Sequence, residues 1–485
     1  SRSAPLRSSD LLDAKAFQEY ATVFASMAIH GLDSELLPWQ LQLWREVLPH
    51  QSWNFEGLFR DLADSGTFRT LWAQRGCRAP FLLPCFAFVE RTITLADIAN
   101  GMAEATAKGE PIPAALGLVR GQLEKINSEL PPVRTPSELE QVLNFGTVFL
   151  NAASKHWPAL AAVCRAAGKA LGFPANINVY VTAPGRFVST PAHSDHHDVL
   201  ILQVQGEKRW RVYSPLPWAG GCMHPCHRGK GDDTIDEVEL SEPLIDVRLR
   251  PGESLFVPAG FVHATSTAGM EDCADASLHL TLGFSVADCG LTLGTLHGQV
   301  LLELGEGLEE EVEEEGLEEE ALWALLEPLP VGCLATPGAA SADVLAAAVA
   351  GLARRLGGPE LEGEALEAAA GRVAERWLRI HEDLLEIYDR GYAEVVEAAA
   401  GGIVAVGLAD RPGASAFHAR RRRPEDDSEA VEEAAADPSI LAATSSIGEY
   451  CRFIRAHVPE AEITWHHHLK RGPVAALPRV FELVD

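Results

Sequence analysis

A series of short strand-like runs between residues 199 and 282, separated by turn sequences, most constrains how this chain can fold. Val199-Leu200-Ile201-Leu202-Gln203-Val204 is an apolar run, and Gln205-Gly206-Glu207 supplies turn chemistry. Lys208-Arg209-Trp210-Arg211-Val212-Tyr213 then alternates polar with apolar residues. Leu244-Ile245-Asp246-Val247-Arg248-Leu249 alternates likewise, and Arg250-Pro251-Gly252-Glu253 turns it. Ser254-Leu255-Phe256-Val257 leads back, and Leu278-His279-Leu280-Thr281-Leu282 closes the series. Short strands with turns between them predict a double-sheet jelly roll of the cupin type, whose interior suits a metal and a small ligand.

His193-Ser194-Asp195 precedes these strands, and His263 ends the segment Pro258-Ala259-Gly260-Phe261-Val262-His263. Two imidazoles and one carboxylate can cap one face of an iron(II) ion. The opposite face then stays open for a cosubstrate and oxygen, as in non-haem iron(II) oxygenases. A His-x-Asp pair alone is a weak signal; the strands on either side raise it. They put the pair at the end of one strand, with His263 brought close by the return strand. By composition, His196 and His197 are competing ligands.

Around these residues the chain resembles the JmjC ribosomal oxygenases, which are iron(II)- and 2-oxoglutarate-dependent protein hydroxylases. The resemblance is carried by Asn178-Val179-Tyr180-Val181-Thr182, Ala192-His193-Ser194-Asp195 and the run from Leu202 to Tyr213. Arg250 to Glu253, Pro258 to His263 and Ser277 to Leu282 match as well, and Phe68 to Trp72 with Pro80 to Pro84 resembles that family's entry segment. The match is sharp from about residue 140 to 286, fainter from about 50 to 140, and architectural beyond about 290. It implies an α+β fold: a double-stranded β-helix (jelly roll, cupin/JmjC) core with a helical N-terminal region, an α-helical dimerisation domain and a C-terminal winged-helix-like domain. The expected boundaries are 1–50 for the N-terminal extension, 51–290 for the JmjC catalytic domain, 291–400 for the dimerisation domain and 401–485 for the winged domain.

Carried over residue by residue, the resemblance implies His193, Asp195 and His263 as the iron ligands and catalytic set, with His196 and His197 as neighbours facing solvent or substrate. Lys208 matches the lysine that pairs with the distal carboxylate of 2-oxoglutarate; an ordinary exposed strand lysine is the alternative. A buried carboxylate needs a cation and hydrogen bonds to offset its desolvation. Asn178 and Tyr180 lie two apart on one strand and so share a face; they match groups that face cosubstrate or substrate, and Thr281 is a further pocket candidate. Gly283 stands where the family usually has serine, and the Asn178-to-His193 loop is one residue longer than the usual pattern.

The implied cofactors are iron(II), 2-oxoglutarate as cosubstrate, and O2. The implied reaction is oxidative decarboxylation coupled to hydroxylation of a protein side chain, first of all a histidine of a ribosomal protein. Demethylation of a methyl-lysine on a histone tail is the alternative within the same chemistry, and a non-catalytic cupin-fold binding or scaffold protein is the alternative outside it. The family's helical region also implies a homodimer.

The chain has 485 residues, room for about three domains. Its net charge of −29 argues against non-specific binding to nucleic acid phosphates. That charge would draw a basic partner such as a ribosomal protein or histone tail, and serves solubility equally well. Nine cysteines, an odd count without framework spacing, predict a reducing compartment: nucleus or nucleolus in a eukaryote, cytoplasm in a bacterium. No apolar run is long enough to span a membrane. Cys222-Met223-His224-Pro225-Cys226-His227 reads either as a metal-binding cluster or as a mobile Gly-rich loop near the site.

Beyond residue 300 the composition shifts. Leu301 to Leu326 is rich in Glu and Leu, a solvated helix face or loop. Helices are expected over Ser341 to Leu356, with Ser341 as N-cap, and over Leu361 to Tyr388, where Trp377, Ile380, Leu384 and Ile387 form an apolar stripe. Gly402 to Val406 is strand-like and Ile447 to His457 helical. Arg420 to Arg423 reads as a loop or a targeting signal, and Trp465-His466-His467-His468 as a partly buried surface patch.

Overall fold

A computed structural model of the chain describes residues 38–47, 54–73, 78–120, 124–130, 132–217, 226–230, 233–273, 275–286, 289–304, 324–333, 339–356 and 363–398, together with two strands at 416–421 and 461–466. Helices α1 (Pro38–Val47), α2 (Phe55–Asp64) and α3 (Gly66–Ala73) come first, then β1 (Phe81–Leu83), α4 (Ala87–Glu90) and α5 (Leu95–Ala107). The hairpin β2 (Ala115–Arg120) and β3 (Glu124–Glu129) leads to α6 (Pro136–Leu143), β4 (Thr147–Leu150) and α7 (Pro158–Leu171). The barrel strands follow: β5 (Ala175–Thr182), β6 (Thr190–His193), β7 (Asp198–Gln205), β8 (Lys208–Tyr213), β9 (Ile245–Leu249), β10 (Ser254–Val257), β11 (Val262–Ser266) and β12 (Ser277–Phe284). Helices α8 (Leu293–Glu303), α9 (Ala339–Leu356) and α10 (Glu364–Ala398) and the strands β13 (Ala416–Arg421) and β14 (Ala461–His466) complete the described elements.

Two antiparallel sheets face each other. One has the order β1-β10-β7-β12-β5-β4-β2-β3 and the other β6-β11-β8-β9. Gly206, at φ +59° in the β7–β8 turn, takes the left-handed conformation that a two-residue-scale reversal demands, and a Cβ there would strike Ser277 N at 2.9 Å. The outer face of the large sheet carries Leu278, Leu280, Leu282 and Phe284 of β12, which pack into one core with Leu160, Val163 and Leu171 of α7. Between the sheets, Val199 and Ile201 of β7 meet Trp210 and Val212 of β8 and Leu255 and Val257 of β10. This alternation sends every second residue of β7, β8 and β12 into the inter-sheet space.

Helices seal the outer face of the large sheet. Trp72 of α3 lies against Phe173 and Phe284, with ring centroids 4.9 and 5.5 Å away, and donates from Nε1 to Leu329 O at 3.1 Å. Tyr392 of α10 donates to Ala175 O at 2.7 Å, and Arg165 of α7 pairs with Asp389 of α10 at 2.7 Å. Trp377 and Leu384 of the expected stripe are buried within the chain.

The jelly-roll expectation agrees with these sheets. Ser341 is not an N-cap: α9 already begins at Ala339, so Ser341 lies in its first turn. Arg420 and Arg421 are not in a loop but in β13, opposite Glu462 and Ala461. Trp465 and His466 belong to its partner strand. Ile447 to His457, Gly402 to Val406, most of the Glu-rich run and the remainder of the expected winged domain lie outside the described residues. Among the described residues, no helix is long and apolar enough to cross a membrane.

Candidate metal centre

His193 ends β6 and pairs in register with His263 at the start of β11. Their rings lie 4.3 Å apart, and Asp195 follows two residues after His193. One ligand atom from each of His193, Asp195 and His263 falls within 4.8 Å of the others. Among the described residues no other group of three metal-ligating side chains is drawn together in this way.

The imidazoles are oriented by the same device. His193 Nδ1 sits 2.8 Å from Pro191 O and His263 Nδ1 sits 3.1 Å from Phe261 O, each carbonyl two residues back along the chain. A backbone carbonyl accepts, so Nδ1 carries the proton and Nε2 keeps its lone pair for a metal. His263 Nε2 lies 3.6 Å from Asp195 Oδ2. Burial lowers the pKa of His263 despite the neighbouring Asp195 carboxylate, which favours the neutral ligand form. Burial alone would raise the Asp195 carboxyl, but the Lys230 ammonium and the two imidazoles together hold it well below the usual range. Two neutral imidazoles and one carboxylate, all turned to one point, fit a divalent first-row metal with open positions.

Two bonds from backbone N–H groups fix the halves of this set to each other. Gly260 N donates to Asp195 O at 2.8 Å, and Ala259 N donates to Asp198 Oδ1 at 2.9 Å. Asp198 is itself paired with Arg78, and both side chains are almost wholly buried.

The inter-sheet space beside the ligands carries several polar side chains. Lys208 opens β8 with its side chain fully buried and donates to Thr182 Oγ1 at 3.1 Å. Below it lie hydroxyl contacts from Thr182 to Thr147 at 3.1 Å and from Ser189 to Thr265 at 2.8 Å. Tyr180 stacks on His279 at 4.9 Å with planes 2° apart. Burial and the Asp195 charge raise the Tyr180 phenol, keeping it a donor. Asn178 shares the Tyr180 face, and its Oδ1 accepts from Ala152 N at 2.8 Å, which fixes its amide. Thr281 stands opposite Asn178 in register and is partly exposed.

Of the two expectations for His196, facing solvent or substrate, burial removes the first: its Nδ1 lies 3.3 Å from His227 Nδ1. His197 is half-buried and lies over Gly283: a Cβ on that glycine would meet His197 Cβ and Cγ at 3.8 Å. Cys222 to Pro225 lie outside the described residues, but Cys226 is buried and the segment after it is bonded to the ligand strand rather than loose.

His279 and Trp210 were missed from the sequence. Their rings meet edge-on at 5.2 Å, and Trp210 also stacks on His263 at 5.9 Å. His279 Nδ1, Trp210 Nε1 and Gln203 Oε1 are buried without a protein hydrogen-bond partner, and so offer polar atoms to a water or ligand between the sheets. The signal was available for His279, which lies two residues before Thr281 on the same strand face.

Fold and site together define a jelly-roll protein with a two-histidine, one-carboxylate metal centre. Residues 156–288 match the JmjC domain family, within the stretch where the resemblance to the ribosomal oxygenases is sharp. Ribosomal oxygenase 1 of Danio rerio is 36% identical over 113 residues, covering 23% of this chain and 19% of that protein. The human ribosomal oxygenase 1 is 36% identical over 114 residues, 23% of this chain and 16% of that one. The bifunctional lysine-specific demethylase and histidyl-hydroxylase NO66 of Drosophila persimilis is 34% identical over 108 residues, 22% of this chain and 13% of that one. The match thus spans less than a fifth of each of these relatives.

Proposed function

We propose that this protein is an iron(II)- and 2-oxoglutarate-dependent oxygenase that hydroxylates a protein side chain, with a histidine of a ribosomal protein as the first candidate. The carrying observation is the convergence of His193, Asp195 and His263 in a jelly roll whose interior also buries the Lys208 side chain completely. His193 and His263 would hold iron(II) through Nε2, with Asp195 as the third ligand. When bound, iron(II) with O2 and 2-oxoglutarate supplies the redox chemistry that inserts one oxygen into a C–H bond and releases succinate and CO2.

The chain's own groups do the rest. The Lys208 ammonium binds the distal carboxylate, as a charge-assisted bond in a dry site. Thr182 Oγ1 orients Lys208 by accepting a hydrogen bond from its Nζ at 3.1 Å. Tyr180, protonated, donates a hydrogen bond into the cavity. Val199, Ile201 and Trp210 exclude water from the space between the sheets. Asn178 and Thr281 border the opening where a substrate side chain would enter.

A homodimer formed through the α9–α10 region, a winged-helix-like fold for residues 401–485, and an intracellular location (nuclear or nucleolar in a eukaryote, cytoplasmic in a bacterium) belong to the same reading. The family resemblance and the names of the relatives support it. The deciding experiment incubates the protein with iron(II), 2-oxoglutarate and oxygen, with ribosomal-protein peptides and methylated histone peptides, and reads peptide masses. Gain of one oxygen on a ribosomal peptide, lost in His193→Ala, supports the hydroxylase. Loss of a methyl group from a histone peptide puts the demethylase in its place. No change in either peptide, and no succinate formed, rejects catalysis on these substrates and favours a binding protein.

A further inference from the structure

The segment that follows Cys226 is built onto the ligand strand. Ser194 N donates to Arg228 O at 2.9 Å, and Arg228 N donates back to Ser194 Oγ at 2.9 Å. Gly229 adopts φ +73°, and a Cβ there would come within 2.8 Å of His193 Cα, so only glycine allows the two backbones to lie this close. Asp233 locks the turn from the other side. Its Oδ2 accepts from Gly229 N at 2.7 Å and from Arg228 Nε at 2.9 Å. The last contact reaches the metal centre itself: Lys230 Nζ donates to Asp195 Oδ1. The other oxygen, Oδ2, is the one that faces His263 Nε2 at 3.6 Å.

We propose that Lys230 is a positioning residue for the metal: it holds Asp195 Oδ1 so that Oδ2 stays presented to the ion, and residues 228–230 with Asp233 form the outer shell that keeps His193 and Asp195 in place. A carboxylate on a short side chain can rotate, or present both oxygens at once. A charge-assisted bond to one oxygen removes that freedom, and outer-shell partners of this kind tune affinity through the geometry of the ligand. The opposing effect is real, since an ammonium near a dication repels it. The two effects have opposite signs on metal affinity, and affinity is therefore the readout. The inference rests on the metal-centre part of the reading above and not on any substrate.

The test titrates the full chain with cobalt(II), following the visible absorption of the bound ion and its Kd by calorimetry. Lys230→Met is expected to raise Kd by about 10-fold or more, the range for lost outer-shell partners. Lys230→Arg, which keeps charge and donors, is expected to recover most of that loss. Asp233→Asn loosens Arg228 and Gly229 without touching Asp195, and is expected to raise Kd by a smaller factor. It keeps the test alive if Lys230→Met fails to fold. A Kd for Lys230→Met equal to or below that of the wild type, in a folded protein, overturns the proposal and makes Lys230 a competitor of the ion. If His193→Ala binds cobalt as tightly as the wild type, the metal-centre reading itself fails instead.

Discussion

Asp198 Oδ1 accepts a hydrogen bond from Ala259 N at 2.9 Å, and so ties the strand after one ligand pair to the turn before the other ligand. The same carboxylate pairs with Arg78, and both side chains are buried. Removing one partner of a buried ion pair costs about 3–5 kcal/mol. Asp198→Ala is expected to lower unfolding free energy by that order in denaturant titration. A loss below about 1 kcal/mol would show that the pair does not join the two halves.

Lys208 is expected to act on the cosubstrate and not on the metal. Hydrogen bonds to charged groups contribute about 1.5–3 kcal/mol, so Lys208→Met should raise the KM for 2-oxoglutarate by roughly 10- to 150-fold. Cobalt affinity should stay near the wild-type value. Succinate formation against 2-oxoglutarate concentration gives the first quantity, and unchanged KM would place the cosubstrate elsewhere.

Chelation should remove turnover without unfolding the barrel. The cores between the sheets and under the helices are built from apolar side chains packed on one another, with no bond through the ion. A chelator is therefore expected to abolish succinate release, and iron(II) to restore it, while far-ultraviolet circular dichroism stays unchanged throughout. Collapse of the spectrum on chelation would assign the metal a structural role.

Acid stability should report on His381 of α10. This imidazole is 3% exposed, lies 4.8 Å from the Trp377 ring, and has neither nitrogen hydrogen-bonded. Burial lowers its pKa from 6.5 to about 3. Above the unfolded value both states are neutral and the group adds no pH dependence. As pH falls below it the unfolded chain takes up a proton that the folded one refuses, and stability drops by up to about 1.4 kcal/mol per unit until the folded pKa is reached. His381→Leu should flatten the decline between pH 6 and pH 4 in denaturant titrations. An identical slope in the variant would sink this assignment.

Gly283 bears on substrate choice. A Cβ there meets His197 only at ordinary contact distance, 3.8 Å, so Gly283→Ser should fold with wild-type stability. The added hydroxyl would lie two residues from Thr281 on the same face. Relative rates on histidine-containing peptides are expected to change while 2-oxoglutarate KM does not. Equal rates on every peptide would place the substrate side chain away from β12.

The sequence by itself determined the barrel strands, which are local, and offered His193, Asp195 and His263 as ligands through the family resemblance, with His196 and His197 competing by composition. Alternation with period two marks β8 and β9 wherever one face is buried, and turn residues bound them. The His193-x-Asp195 pair and His263 are legible as donors for the same reason: ligand chemistry belongs to the residue type. Tertiary structure decided everything that depends on contacts between distant segments. Arg78 and Asp198 are 120 residues apart in sequence, and nothing near either announces the other. Lys230 sits in what reads as a Gly-rich loop; only the close approach of Gly229 to His193 turns that loop into an outer shell. The resemblance left His196 facing solvent or substrate; the turn into β7 buries it against His227, which removes the solvent-facing option. Periodicity assigns a residue to a face, but which group stands opposite is set by register and by the folding-over of loops, and those are properties of the whole chain.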